Sequence, residues 1–208
     1  EKAGSQKDRL NLAADISVMI GDGLADELLP DLANFAIEFL DSDKIKEMMN
    51  SCAIFISLRP KLTEELANKV FELAVKRAMV VMESEALNIL VQTMRKLMKR
   101  FSINETVAES FTRSIVEGKL AILYGQPPHL SKPPELFLFL YLERYVRRFP
   151  HKGSQLCGTL IGWISKAPFP VIPAILEPIN AGLETSQVSE VQARELTGIL
   201  KILLPQLD

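Results

Sequence analysis

The sequence predicts an all-α fold, a stack of about five antiparallel helical hairpins, and three observations carry that prediction. Apolar residues recur at spacings of three and four along most of the chain, the period of an amphipathic helix and not of a strand. Prolines and glycines fall between these periodic stretches: Gly21 and Gly23, Pro60, Gly125 to Pro134, Pro150 and Gly153, Pro168 to Pro173. There they act as helix punctuation. A helix–turn–helix pattern then recurs along the chain, the signature of a repeat array.

Taken in order, residues 1–7 read as a flexible tail. The first hairpin, about 8–40, turns at Gly21-Asp22-Gly23, and Pro30 sits near the start of its second helix, where a missing N–H costs little. The second, 45–78, turns at Leu58-Arg59-Pro60-Lys61. Their second helices align at an offset of 38, with Leu24, Asp26, Glu27, Leu28, Leu32, Ala36 and Ile37 falling on Leu62, Glu64, Glu65, Leu66, Val70, Ala74 and Val75. The third hairpin, 85–123, turns at Phe101-Ser102-Ile103-Asn104. A proline-bracketed connector, 124–134, follows, and reads as an extended spacer or a docking peptide. The fourth hairpin, 135–166, turns at Phe149-Pro150-His151-Lys152. Its first helix aligns with that of the third at an offset of 48, Leu90, Met94, Leu97 and Met98 falling on Leu138, Leu142, Tyr145 and Val146. The fifth, 171–206, turns near Glu184-Thr185-Ser186.

One hairpin cannot bury its own apolar face, so stacking on neighbours resolves the exposure. The expected product is an α-solenoid forming one domain, 8–208; a compact helical bundle has the same local patterns and is the alternative. Because the offsets drift, the array resembles a degenerate HEAT- or armadillo-like superhelix.

Net charge is −2 and only two cysteines occur, Cys52 and Cys157, both within apolar helical patterns. Buried thiols fit a reducing, intracellular compartment and imply no disulfide framework. No apolar run reaches the roughly 18–20 residues of a membrane span. The opening Glu1-Lys2-Ala3-Gly4-Ser5 lacks an initiator Met and fits a fragment of something longer.

The small net charge hides a sorting. Residues 1–60 carry 6 Lys/Arg and 11 Asp/Glu, residues 61–152 carry 15 and 10, and residues 153–208 carry 3 and 5. In the basic middle, Lys96, Lys99 and Arg100 share one helix face at i, i+3, i+4. Arg144, Arg147 and Arg148 repeat the spacing at the offset of 48. Equivalent positions of a solenoid lie side by side, so the six predict one basic ridge, extended by Arg95 and Lys152. The competing reading is a solvated face near helix C-termini, where cations complement the macrodipole.

Catalytic and metal chemistry find no constellation. His129 and His151 are both expected in loops, with no Cys, Asp or Glu at ligand spacing. No nucleophile elbow, phosphate loop or dinucleotide fingerprint occurs. Gly21-Asp22-Gly23 follows a helix and reads as a C-cap. The pairs Asp26-Glu27 and Glu64-Glu65 suit the first turns of helices. The expectation is therefore no enzyme, no cofactor, no metal and no small-molecule substrate. Trp163 reads as core packing or as an interface anchor. Phe137, Phe139 and Tyr141 alternate with leucines around one helix, which marks an array core or a protein-binding element, with Phe137 and Tyr141 as candidate contacts.

Two segments resemble the helical-repeat C-terminal domain of the Fanconi anaemia group E protein family. One is Thr112-Arg113-Ser114-Ile115 with Gly118-Lys119-Leu120. The other runs from Leu156 through Lys166 to Phe169-Pro170-Val171 and Ala174-Ile175-Leu176-Glu177-Pro178-Ile179. The order is that of the family, but this chain places Gln126 to Arg148 between them, a longer spacing. The resemblance implies a nuclear adaptor in DNA crosslink repair and carries no functional residue across. The expected role is a non-catalytic scaffold or adaptor whose partners are other protein subunits. The alternatives are nucleic-acid binding by the basic ridge and self-association through the Phe137 helix or the array ends.

Overall fold

The computed structural model describes residues 6–20, 26–58, 61–81, 83–119, 137–203 and 205. Among them are ten α-helices and no strand. In chain order they are α1 (Gln6–Ile20), α2 (Leu29–Leu40), α3 (Ile45–Leu58), α4 (Glu64–Val80), α5 (Ser84–Arg100), α6 (Glu105–Ser114), α7 (Phe137–Arg148), α8 (Pro150–Ile164), α9 (Ile172–Glu184) and α10 (Glu190–Leu203). A π-helical turn, Ile115–Lys119, continues α6, and 3-10 turns occupy Asp26–Leu28 and Phe169–Val171. Residues 1–5 of the expected tail, the Gly21–Gly23 turn, Pro60 and the 124–134 connector with His129 lie outside the described residues, while Gln6 and Lys7, expected in the tail, already belong to α1.

Local chemistry explains the helix starts. Thr63 caps α4, its Oγ1 accepting the Leu66 N–H at 3.2 Å, with Glu64 and Glu65 in the first turn where the dipole favours anions. Asn104 caps α6, its Oδ1 accepting from Thr106 N at 3.0 Å. Pro30 stands in the first turn of α2, as its position in the sequence predicts. Two local expectations need correction. Asp26, Glu27 and Leu28 do not begin an α-helix as Glu64 to Leu66 do; they form the 3-10 turn, and Leu28 is 55% exposed. Pro150 does not lie within a turn but opens α8 directly after Phe149, because proline's fixed φ suits the first helical position. His151 and Lys152 are therefore helical, not loop residues.

The chain gathers into two compact units, Glu1–Phe111 and Thr112–Asp208, the division falling within α6. In the first unit α1 packs along α3 and α3 along α5, while α2 and α4 form a second, more loosely associated layer; α2 also packs on α3 and α4 on α5. In the second unit α7 packs along α9 and α8 along α10, with α8 also against α7 and α9. Helices two apart in sequence thus lie beside one another in both units.

Burial follows the helical period. The offset of 38 keeps inward positions in line: Ala33, Ala36 and Leu40 of α2, and Phe71, Ala74 and Ala78 of α4, are all buried. Polar ties between neighbouring hairpins recur at a similar step. In the first unit, Asn50 Nδ2 donates to Asn11 Oδ1 at 2.6 Å, Lys76 pairs with Asp41 at 2.6 Å and Arg77 with Asp43 at 3.0 Å. In the second, Gln187 Nε2 donates to Val146 O at 3.2 Å and Gln192 Nε2 to Ser154 O at 2.9 Å. These five ties span 34 to 41 residues.

Candidate functional site

The two cationic triplets belong to different units, and each is built by the C-terminal half of one helix. On α5 the buried positions Ala86, Leu90, Thr93, Met94, Leu97 and Met98 face inward. The remaining arc carries Asn88, Ile89, Gln92, Arg95 and Lys96, all half-buried, and the exposed Lys99 and Arg100. The Arg100 guanidinium lies over the ring of Phe101, 5.7 Å from its centroid. No carboxylate occurs between Ala86 and Asn104. Lys96 is thus half-buried on that arc, and Lys99 and Arg100 are exposed on it.

The second triplet is differently placed. On α7, Arg144 is half-buried and Arg147 and Arg148 are exposed. Arg147 Nη1 donates to Glu184 Oε2 of α9 at 2.6 Å, and its Nε donates to Glu143. These hydrogen bonds, the one from Glu184 foremost, hold the guanidinium pKa above its ordinary value. Arg147 is therefore part of the tie between α7 and α9, and its charge is answered inside its own unit. Lys152 lies half-buried in the first turn of α8.

Of the two aromatic candidates, Tyr141 is fully buried, with a side-chain hydrogen bond to Thr112, and burial pushes its hydroxyl pKa well up. It is a core residue of the second unit and is not on a contact surface, which corrects its candidacy. Leu138, Phe139, Leu142, Tyr145 and Val146 are buried around it. Phe137 is half-buried and Leu140 is 38% exposed. The apolar α7 is thus chiefly core, because α8 and α9 cover it. Trp163 is half-buried on α8.

Cys52 and Cys157 are free thiols, both buried. Desolvation pushes the Cys52 pKa up to about 12, against a hydrogen bond from Thr93 that lowers it, and pushes Cys157 to about 11. Both stay protonated at neutral pH, so neither is a nucleophile as it stands. Among the described residues no three His, Cys, Asp or Glu side chains gather to hold a metal ion. An open groove of about 540 Å³ lies between α4 and the α5–α6 loop. Asn68 spans its floor, donating to Ser102 O at 2.8 Å and accepting from Asn104 N at 2.7 Å, so it is a polar seam between hairpins. Among the described residues no helix is long and apolar enough to cross a membrane.

Sequence reasoning missed one feature. On α3, Met49, Ala53 and Ile56 are half-buried, not core, and share an arc with Lys46, Asn50 and Ser57. Those three polar residues recur at helical spacing and were the available signal. Comparison of the chain with models of protein families, with curated proteins and with solved structures finds no match in any of the three.

Proposed function

We propose that this protein is a non-catalytic interaction scaffold, an α-solenoid that presents a layer of parallel helices to other protein subunits of a complex. The observation that supports it is the packing of every second helix along the last, α1 on α3 on α5 in one unit and α7 on α9 in the other. Such a stack buries a continuous core while leaving one long face of each helix open, which is the surface repeat proteins use for binding. Lys96, Lys99 and Arg100 lie on such a face. Arg148 and Lys152 extend the proposal to the second unit, where Arg147 serves cohesion instead. The setting in nuclear DNA repair is drawn from the sequence resemblance alone.

The test is affinity capture from nuclear and cytoplasmic extracts, followed by cross-linking and mass spectrometry. The expected result is a stoichiometric protein partner whose cross-links fall on the odd-numbered helices. A salt titration with mixed-sequence RNA and DNA runs beside it. Tight binding that falls steeply with salt, without a protein partner, would replace this reading by phosphate recognition.

A further inference from the structure

The surface over the α3–α5 seam of the first unit has a composition that selects one kind of partner. Its α1–α3–α5 layer is more closely packed than the α2–α4 layer. The helices α1, α3 and α5 thus form one layer, and the half-buried arcs of α3 and α5 flank their shared seam. Cys52 of α3 and Thr93 of α5, both buried, meet by a side-chain hydrogen bond across the seam. Met49 and Ile56 lie one turn either side of Cys52, and Ile89 and Lys96 one turn either side of Thr93. All four are half-buried, so the seam presents an apolar strip edged by Lys96 and, beyond it, Lys99 and Arg100.

Beyond the first turn of α5, the exposed charges of α3 and α5 are cations. The carboxylate of α3, Glu47, is buried and held by Ser42 at 2.9 Å and Lys44 at 3.0 Å, leaving Lys46 as the exposed charge of that helix. On α5 the single acid is Glu85, at its start. The far flank of α3 meets α1, which carries Lys7, Asp8, Arg9 and Asp15 and is neutral in sum. The layer is therefore polarised, and its basic side coincides with its apolar strip.

We propose that the α3–α5 seam docks an acidic amphipathic helix of a partner protein, its apolar side against Met49, Ile56 and Ile89 and its carboxylates towards Lys96 and Lys99. An apolar stripe answering an apolar seam is the usual mode of helix-in-groove recognition. Complementary charge supplies steering and register. Nucleic acid fits less well: a phosphate backbone makes no use of the apolar strip, and Phe55, the aromatic of α3, is fully buried and offers no stacking platform. This inference rests on the scaffold reading and names the partner chemistry of its first unit.

The probe is a fluorescein-labelled designed helical peptide with leucine on one face and glutamate on the other, followed by anisotropy. Its twin carries lysine in place of glutamate. The acidic peptide is expected to bind the intact chain and the lysine twin not to. The Lys96→Glu/Lys99→Glu variant is expected to weaken binding about tenfold or more. Ile56→Ser is expected to weaken it with little change of salt dependence, the helical signal and thermal midpoint staying unchanged. Equal binding of both peptides, absence of binding, survival of binding in the charge-reversed variant, or displacement by mixed-sequence DNA at lower concentration would each overturn the proposal. If a captured partner binds Lys96→Glu/Lys99→Glu undiminished, the seam is wrong while the scaffold stands; if no protein partner exists, the scaffold itself falls.

Discussion

Gly182 of α9 touches Cys157 of α8 so closely that an added Cβ would fall inside the contact radius of Cys157 Sγ, with Val188 Cγ2 at 3.2 Å. Two opposed effects meet there. Alanine is favoured over glycine in a helix by about 1 kcal/mol, whereas overpacking a tight core costs about 1–3 kcal/mol. Gly182→Ala alone is therefore expected to destabilise the second unit by about 1 kcal/mol, the steric cost outweighing the gain. Cys157→Ala removes the sulfur and its weak bond to Pro178 O at 3.8 Å, costing about 1 kcal/mol for the lost burial and small cavity. In that background the new methyl enters the space the sulfur has left. The sign of Gly182→Ala then reverses, and the double variant approaches wild-type stability. The contact with Val188 is common to both backgrounds and cancels. The coupling is expected at about 2 kcal/mol, well above the scatter of additive pairs. Trp163 is the single tryptophan and lies on α8, so urea unfolding followed by its fluorescence reports on this unit. A double variant less stable than either single one would refute the close approach of α8 and α9, and with it the packing of the second unit.

Other perturbations read other parts of the fold. Asn68→Ala removes the bonds to Ser102 O and Asn104 N; at about 0.5–1.5 kcal/mol each the first unit loses about 1–3 kcal/mol, and hydrogen exchange at the Asn104 amide accelerates. Arg147→Ala breaks two ion pairs, with Glu184, 61% exposed on its side chain, and with the half-buried Glu143, each worth at most about 1 kcal/mol; a loss of stability above about 2 kcal/mol would mean the pairs are not solvated. Cys52 and Cys157 have pKa values raised above the ordinary 9.0 to about 12 and about 11. The folded state thus holds protons that the unfolded state gives up, and stability present below pH 9 is lost as pH rises through 11 and 12. Iodoacetamide at pH 8 is expected to label neither thiol until urea is added, a result read directly by mass spectrometry.

What the sequence shows of this fold is what short-range periodicity can encode. Ala33, Ala36 and Leu40 predict their counterparts Phe71, Ala74 and Ala78 because both helices face one core, and the 3.6-residue period projects that face onto the chain. Pro150 shows where such reading stops: a proline that ends one helix and one that begins the next look alike in sequence, and only the backbone of Phe149 decides between them. Arg147 lies further beyond reach. Its spacing marks it as one of three surface cations, yet its carboxylate partner is 37 residues away on α9, with no local trace of the pairing. Met49 and Ile56 carry no pattern of their own in the sequence that singles them out. An apolar residue scores as core by its type, but a residue beside the seam of two packed helices is core on one side and surface on the other. Cys52 meets Thr93 across that seam, both side chains buried. The pairing of helices two apart in the chain thus decides whether an apolar side chain is core or surface here. That is why the helices were legible from the sequence, while which of their apolar residues stay half-exposed required the packing itself.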